Sequence, residues 1–147
     1  MATYTATVVK KATTGKKGEA TKGLAYLDLS AALTTSDTVV ISHRDLIGDG
    51  KPTILGGKFW GVEVDTNATP TGTFKIGTAT DDDGLLTTKG AAVGLQNSLG
   101  GQLSYFFDGA LLGTEWTPEN IILTPAANSA TGATSGRIWF EIEILTV

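Results

Sequence analysis

The stretch from Arg137 to Leu145 alternates with a period of two. Ile138, Phe140, Ile142 and Ile144 fall on one side of an extended ribbon, and Arg137, Glu141 and Glu143 fall on the other. This is the pattern of a β-strand with one dry face, and a dry face requires a covering surface, so the rest of the chain has to supply further strands. Residues 3–9 alternate Tyr4, Ala6 and Val8 against threonines. Residues 24–29 and 38–42 are two more candidates, with at most one helical turn at 30–33 between them. In 58–65, Trp60, Val62 and Val64 share one face, which reads as the core face, while Glu63 and Asp65 lie opposite. The turn-forming residues Asn67, Pro70 and Gly72 then lead into 73–77, where Phe74 and Ile76 point one way, so 58–77 reads as a hairpin. Leu103, Tyr105 and Phe107 alternate in another strand ended by Asp108 and Gly109, and residues 120–124 form one more.

Between these segments the chain is rich in turn formers. Residues 10–23 carry Gly15, Gly18 and Gly23 among lysines and threonines and read as a mobile loop or the tip of a long hairpin. His43 to Pro52 is a loop. Residues 85–101 have no clean helical period and at most one short helix, and 125–136 form a small-residue loop. About eight strands at this spacing, with little helix, predict an all-β fold: a two-sheet β-sandwich or jelly roll. A length of 147 residues suits a single domain, 1–147, of which 1–23 form a first strand plus a basic loop or arm.

Composition removes whole classes of chemistry. With no cysteine, there are no disulfides, thiolate metal sites or thiol nucleophiles. With one histidine, His43, there is no multi-histidine metal site and no Gly-x-Ser-x-Gly elbow to build a triad on. No apolar run is long enough to span a membrane, and the first residues lack the charged and apolar blocks of a signal peptide, so the chain is expected to be made and to stay soluble in a cytoplasm, away from membranes. The formal net charge of −4 is unevenly placed: residues 1–22 hold five lysines and one glutamate, so the remainder is strongly acidic. That arm is either a solvated loop or a segment that docks on an acidic partner through Lys10, Lys11, Lys16 and Lys17. Nucleic acid is a poorer partner, because an acidic body repels phosphate and the lysines are not interleaved with aromatics.

Several local motifs lose their chemistry on inspection. His43-Arg44-Asp45-Leu46 spells the start of a kinase catalytic loop, but Gly50 stands where that loop needs asparagine, and a satisfied loop histidine is the default reading. Asp45, Asp49 and Gly50 overlap a calcium loop that Ile47 and Gly56 break. Asp81, Asp82 and Asp83 are the better place for a hard cation, although a solvated turn needs none and adjacent residues of an extended turn cannot all face one point. Glu141 and Glu143 share a strand face rather than flanking a cleft, as a glycosidase pair would. Trp116 or Trp139, if exposed, would offer a stacking platform for a carbohydrate. Trp139 lies opposite the isoleucines, either covered by a loop or exposed in an interface. No cofactor is implied.

The stretch from Gly72 to Thr87, in which Phe74, Ile76, Gly77 and Thr78 run into the Asp81–Asp83 turn and the apolar pair Leu85 and Leu86, resembles small virion proteins of tailed bacteriophages. The opening residues and the Ala/Gly/Thr/Ser-rich loops are similar in style. The resemblance implies a head decoration (cement) protein: a non-enzymatic part on the outer capsid surface, made in the host cytoplasm, bound to the major capsid protein and typically trimeric. It brings no catalytic residue. On that reading Lys10, Lys11, Lys16 and Lys17 are the capsid-contact candidates, and Trp139, Glu141 and Glu143 the subunit-interface candidates. A tail, baseplate or fibre component and a carbohydrate-binding module are the alternatives.

Overall fold

The C-terminal alternating stretch is the centre of one of two sheets. The structure, a computed structural model, describes residues 2–12, 16–29, 34–62, 73–90, 104–127 and 137–146. In chain order the elements are β1 (Thr3–Thr5), β2 (Thr7–Lys10), β3 (Ala20–Asp28), β4 (Thr38–Ile41), α1 (His43–Leu46), β5 (Thr53–Val62), β6 (Thr73–Gly77), β7 (Leu86–Gly90), β8 (Ser104–Phe106), β9 (Ile121–Ala127) and β10 (Arg137–Leu145). The first sheet runs β1-β4-β9-β6-β7 and the second β2-β3-β10-β5-β8.

In this order β3 pairs with β10, β4 with β9, β5 with β8 and β6 with β7, all antiparallel. Such nested pairs, folded over so that alternate pairs fall in opposite sheets, make a jelly roll. The eight strands β3–β10 complete it. The expected first strand, residues 3–9, is divided: β1 joins the edge of the first sheet in parallel with β4, and β2 joins the edge of the second, antiparallel to β3. The break falls at Ala6, whose N–H donates to the Val40 carbonyl at 2.9 Å. One short segment therefore clips both sheets along the same side of the sandwich.

Alternation along β10 is complete, with Ile138, Phe140, Ile142 and Ile144 buried and the residues between them half-buried. Each apolar side chain removed from water in this way contributes about 1.5–3 kcal/mol before chain entropy is counted. From the first sheet Val39, Ile41, Phe74, Ile76, Ile121 and Leu123 close over them, and Phe59 meets Phe74 across the gap with ring centroids 6.1 Å apart. β5 bulges at Leu55: Glu143 sits opposite Gly56 but Ile144 sits opposite Ile54, so Ile54 stays buried and Leu55 is turned out.

Three sequence expectations are corrected here. Residues 58–77 do not form a hairpin, since β5 and β6 lie in opposite sheets; the turn residues mark a reversal without saying whether the chain reverses within a sheet or crosses between sheets. Trp60 is not a core residue. It lies opposite Trp139 in register, on the outer face, and its neighbour Phe59 occupies the core. The segment 43–52 is not all loop, because Ser42 caps a single helical turn by accepting the Asp45 N–H at 3.3 Å, and Gly48 ends it at φ +94°. The expected turns at 30–33 and 66–72, residues 63–65, Leu103, the possible helix within 91–101 and the rest of the loop from 128 lie outside the described residues.

Candidate interaction surface

The outward side chains of the second sheet form ordered rows, because the registers of β3, β5 and β8 on β10 are continuous. Asp28 and Arg137 make one row, and Tyr26, Trp139 and Trp60 the next. Leu24, Glu141, Lys58 and Phe106 follow, then Lys22 and Glu143. The face is aromatic in its upper half and charged in its lower half.

In the aromatic row, Trp139 and Trp60 are nearly parallel, 8° between planes with centroids 6.0 Å apart, and Tyr26 leans on Trp139 at 5.3 Å. Arg137 donates to both carboxylate oxygens of Asp28, at 2.6 and 3.2 Å, and its guanidinium lies 4.2 Å from the Tyr26 ring centre and 5.3 Å from that of Trp139. The two bonds to Asp28 hold the guanidinium over the rings, and the hydrogen bond to Asp28, with the Asp28 charge beside it, pushes its pKa up. Lys58 Nζ lies 4.9 Å over Trp60. Trp139 is thus neither covered by a loop nor fully open among the described residues: it is half-buried between two other rings. Trp116 is 2% exposed, which removes it as a sugar platform, and its Nε1 has no partner among the described residues.

The four lysines named from the sequence sit at one end of the sheet, around the β2–β3 hairpin. Lys10 ends β2, Lys11 follows it, and Lys16 and Lys17 occupy a turn tied to the end of β10. There the Gly18 N–H donates to Thr146 O at 2.7 Å, the Thr146 N–H to Glu19 O at 3.0 Å, and the Lys16 N–H to Glu19 Oε2 at 3.2 Å. This part of the arm is a docked hairpin turn, while residues 13–15 lie outside the described residues. Sequence reasoning missed Lys22, Lys58 and Phe106 as members of the same surface. Strand alternation places each of them outward, but only the strand order brings them together.

The other candidates separate from this face. Asp81, Asp82 and Asp83 each bring a carboxylate oxygen within 4.8 Å of the others, contrary to the expectation for an extended turn, because the backbone curls: the Thr78 and Gly84 N–H groups both donate to Asp81 O. Lys75 pairs with Asp82 at 2.6 Å and supplies counter-charge to one of the three carboxylates. His43 opens α1, and its Nδ1 is buried without a partner among the described residues, so it is not the satisfied histidine expected. Arg44 and Asp49 form an exposed ion pair at 3.2 Å. Nothing in this cluster sets a base beside a nucleophile.

No family model matches the sequence, and no curated protein matches it. Among solved structures, a chain of the cyanophage Pam1 capsid asymmetric unit superposes with a TM-score of 0.69 at 23% identity, over 90% of this chain and 89% of that one. A chain of the capsid of Ralstonia phage GP4 superposes with a TM-score of 0.60 at 15% identity, over 90% and 87%. At these identities what is shared is the fold, over about nine-tenths of each chain: this chain has the jelly-roll architecture found in chains of two phage capsid structures.

Proposed function

We propose that this protein is a non-enzymatic structural component of a tailed-phage virion, bound to the outside of the head as a decoration protein. The observation that carries the reading is the likeness, over 90% of this chain and 89% of the other, to a chain of a phage capsid. The rest is consistent in physical terms. A cysteine-free sandwich packed by isoleucine and phenylalanine is a rigid block, and a lysine-rich end on an acidic chain steers docking onto an acidic neighbour. The partner is the major capsid protein, met through Lys10, Lys11, Lys16 and Lys17. The aromatic row at Trp139 faces sister subunits of a homotrimer, the symmetry that local threefold points of a shell present.

The test is rebinding. Heads stripped of this protein take it back, and substituting the four lysines by glutamine strongly weakens uptake at low salt. Native mass spectrometry of the free protein gives a trimer. Immunogold confined to tails or fibres, or undiminished uptake by the lysine variant, contradicts the decoration role.

A further inference from the structure

Two depressions on the outer face of the second sheet share a wall. One, of about 340 Å³, is bordered by Lys10, Lys11, Lys22 and Glu143; the other, of about 330 Å³, by Lys22, Lys58, Glu141, Glu143, Leu55 and Phe106. With Lys22 and Glu143 common to both, they form one trough that crosses all five strands from β2 to β8. We propose that this trough binds an extended acidic segment of a partner protein, with carboxylates at the lysine end and an apolar side chain at the Phe106 end.

Two independent observations converge on it. The large hydrophobic side chains most exposed among the described residues are Phe106 (75%), Val9 (57%) and Leu55 (40%). Phe106 and Leu55 line the trough, while Val9 borders a neighbouring depression with Val8, Lys11 and Asp45. Exposed apolar residues gathered on one surface of an otherwise ordinary chain mark an interface. The second observation is charge. The side chains of Lys10, Lys11 and Lys22 form no ion pair or hydrogen bond among the described residues, and that of Lys58 lies over the Trp60 ring without an ion pair. Lysines outnumber glutamates along the trough although the chain is net negative, so the same surface of a second copy would meet it with like charge in excess.

Width sets the length of the occupant. Five strands spaced about 4.8 Å apart span roughly 19 Å, the reach of about six extended residues. Glu141 and Glu143 border the middle and repel carboxylates there, which fixes the direction: acidic residues over Lys10, Lys11 and Lys22, a neutral middle, an apolar residue on Phe106. Glu141 and Glu143 therefore face this segment rather than a sister subunit. The inference shares Lys10 and Lys11 with the virion reading, which names an acidic neighbour but not the segment that it offers, and it rests on the trough rather than on that reading.

The experiment is an NMR titration of the purified protein at low ionic strength with the peptide Asp-Glu-Asp-Gly-Gly-Phe, a version with lysines in place of the acids, and a version ending in glycine. The acidic peptide shifts amides of β2, β3, β5 and β8, the lysine version shifts none, and the glycine version binds several-fold more weakly. Lys22→Glu weakens binding about tenfold and Phe106→Ser weakens it in a salt-independent way, while Lys51→Glu, outside the trough, changes nothing. All three positions are exposed, so the variants fold. Absence of binding, or binding that survives both Lys22→Glu and Phe106→Ser, overturns the proposal. So does self-association of the free protein abolished by Lys22→Glu, which would put a second copy in the trough. Since no virion enters the titration, its failure leaves the virion reading standing, and a protein absent from heads leaves the titration result standing.

Discussion

The Asp37 carboxylate accepts the backbone N–H of Ala2 at 3.0 Å, although 35 positions separate them in the chain. The same side chain accepts the Thr34 N–H at 2.9 Å and the Thr34 hydroxyl at 3.1 Å. Those N–H groups, Thr34 foremost, hold the Asp37 carboxyl below its ordinary value of 3.8 against the opposing pull of burial. Asp37 therefore pins the start of the segment that clips both sheets. A lowered carboxylate pKa contributes stability that is complete above the unfolded value, near pH 4, and is lost as the pH falls through the folded value. Asp37→Ala is expected to lower unfolding free energy by about 2 kcal/mol at pH 7. The gap between variant and parent narrows in denaturant melts as the pH falls below the unfolded value; a gap independent of pH would contradict the ionic anchor.

Phe59 and Trp60 are neighbours with opposite fates, and their substitution energies report the register of β5. Phe59 is buried against Phe74, so Phe59→Ala should cost about 3–5 kcal/mol. Trp60 lies half-exposed on the outer face, and Trp60→Ala should cost clearly less, about 1–2 kcal/mol. Chemical denaturation of the two variants decides it; the reverse ranking would put β5 in the other register.

That parity is also where the sequence misled. Trp60, Val62 and Val64 make a convincing apolar face, whereas the true inner positions of β5 after Ile54 include Phe59 and the buried Gly61, whose missing side chain hides the pattern. Strands that alternate without interruption, such as β10 and β6, were legible to within a residue or two. The partition of residues 3–9 between two sheets was not, because both halves alternate correctly and only the tertiary clip distinguishes them. Of the interaction surface, the lysines of the arm and Trp139 were visible as a charge cluster and an off-face aromatic. Lys22, Lys58 and Phe106 were not, since a surface drawn from five strands far apart in sequence exists only once the strand order is known.

The nearly parallel Trp139 and Trp60 rings should couple electronically. Trp60→Phe and Trp139→Phe are each expected to abolish the same tryptophan exciton feature in circular dichroism. Trp116→Phe leaves it intact, because Trp116 belongs to none of the ring pairs among the described residues. Loss of the feature in the Trp116 variant alone would mean that the outer-face pair is not formed in solution.

Lys75 and Asp82 meet at 2.6 Å beside two further carboxylates, with the lysine side chain about a quarter exposed and the aspartate mostly exposed. An exposed pair of this kind is worth little by itself, but here the cation also offsets repulsion among Asp81, Asp82 and Asp83. Lys75→Met should therefore lower stability by up to about 1 kcal/mol at low ionic strength. High salt screens the remaining carboxylates from one another and should bring variant and parent together. Calcium tested at matched ionic strength separates the two accounts of the turn. If Lys75 is its natural counter-charge, calcium restores the variant and leaves the parent's thermal midpoint where it was. A rise in the parent's own midpoint, abolished by Asp81→Asn, would instead make the turn a cation site.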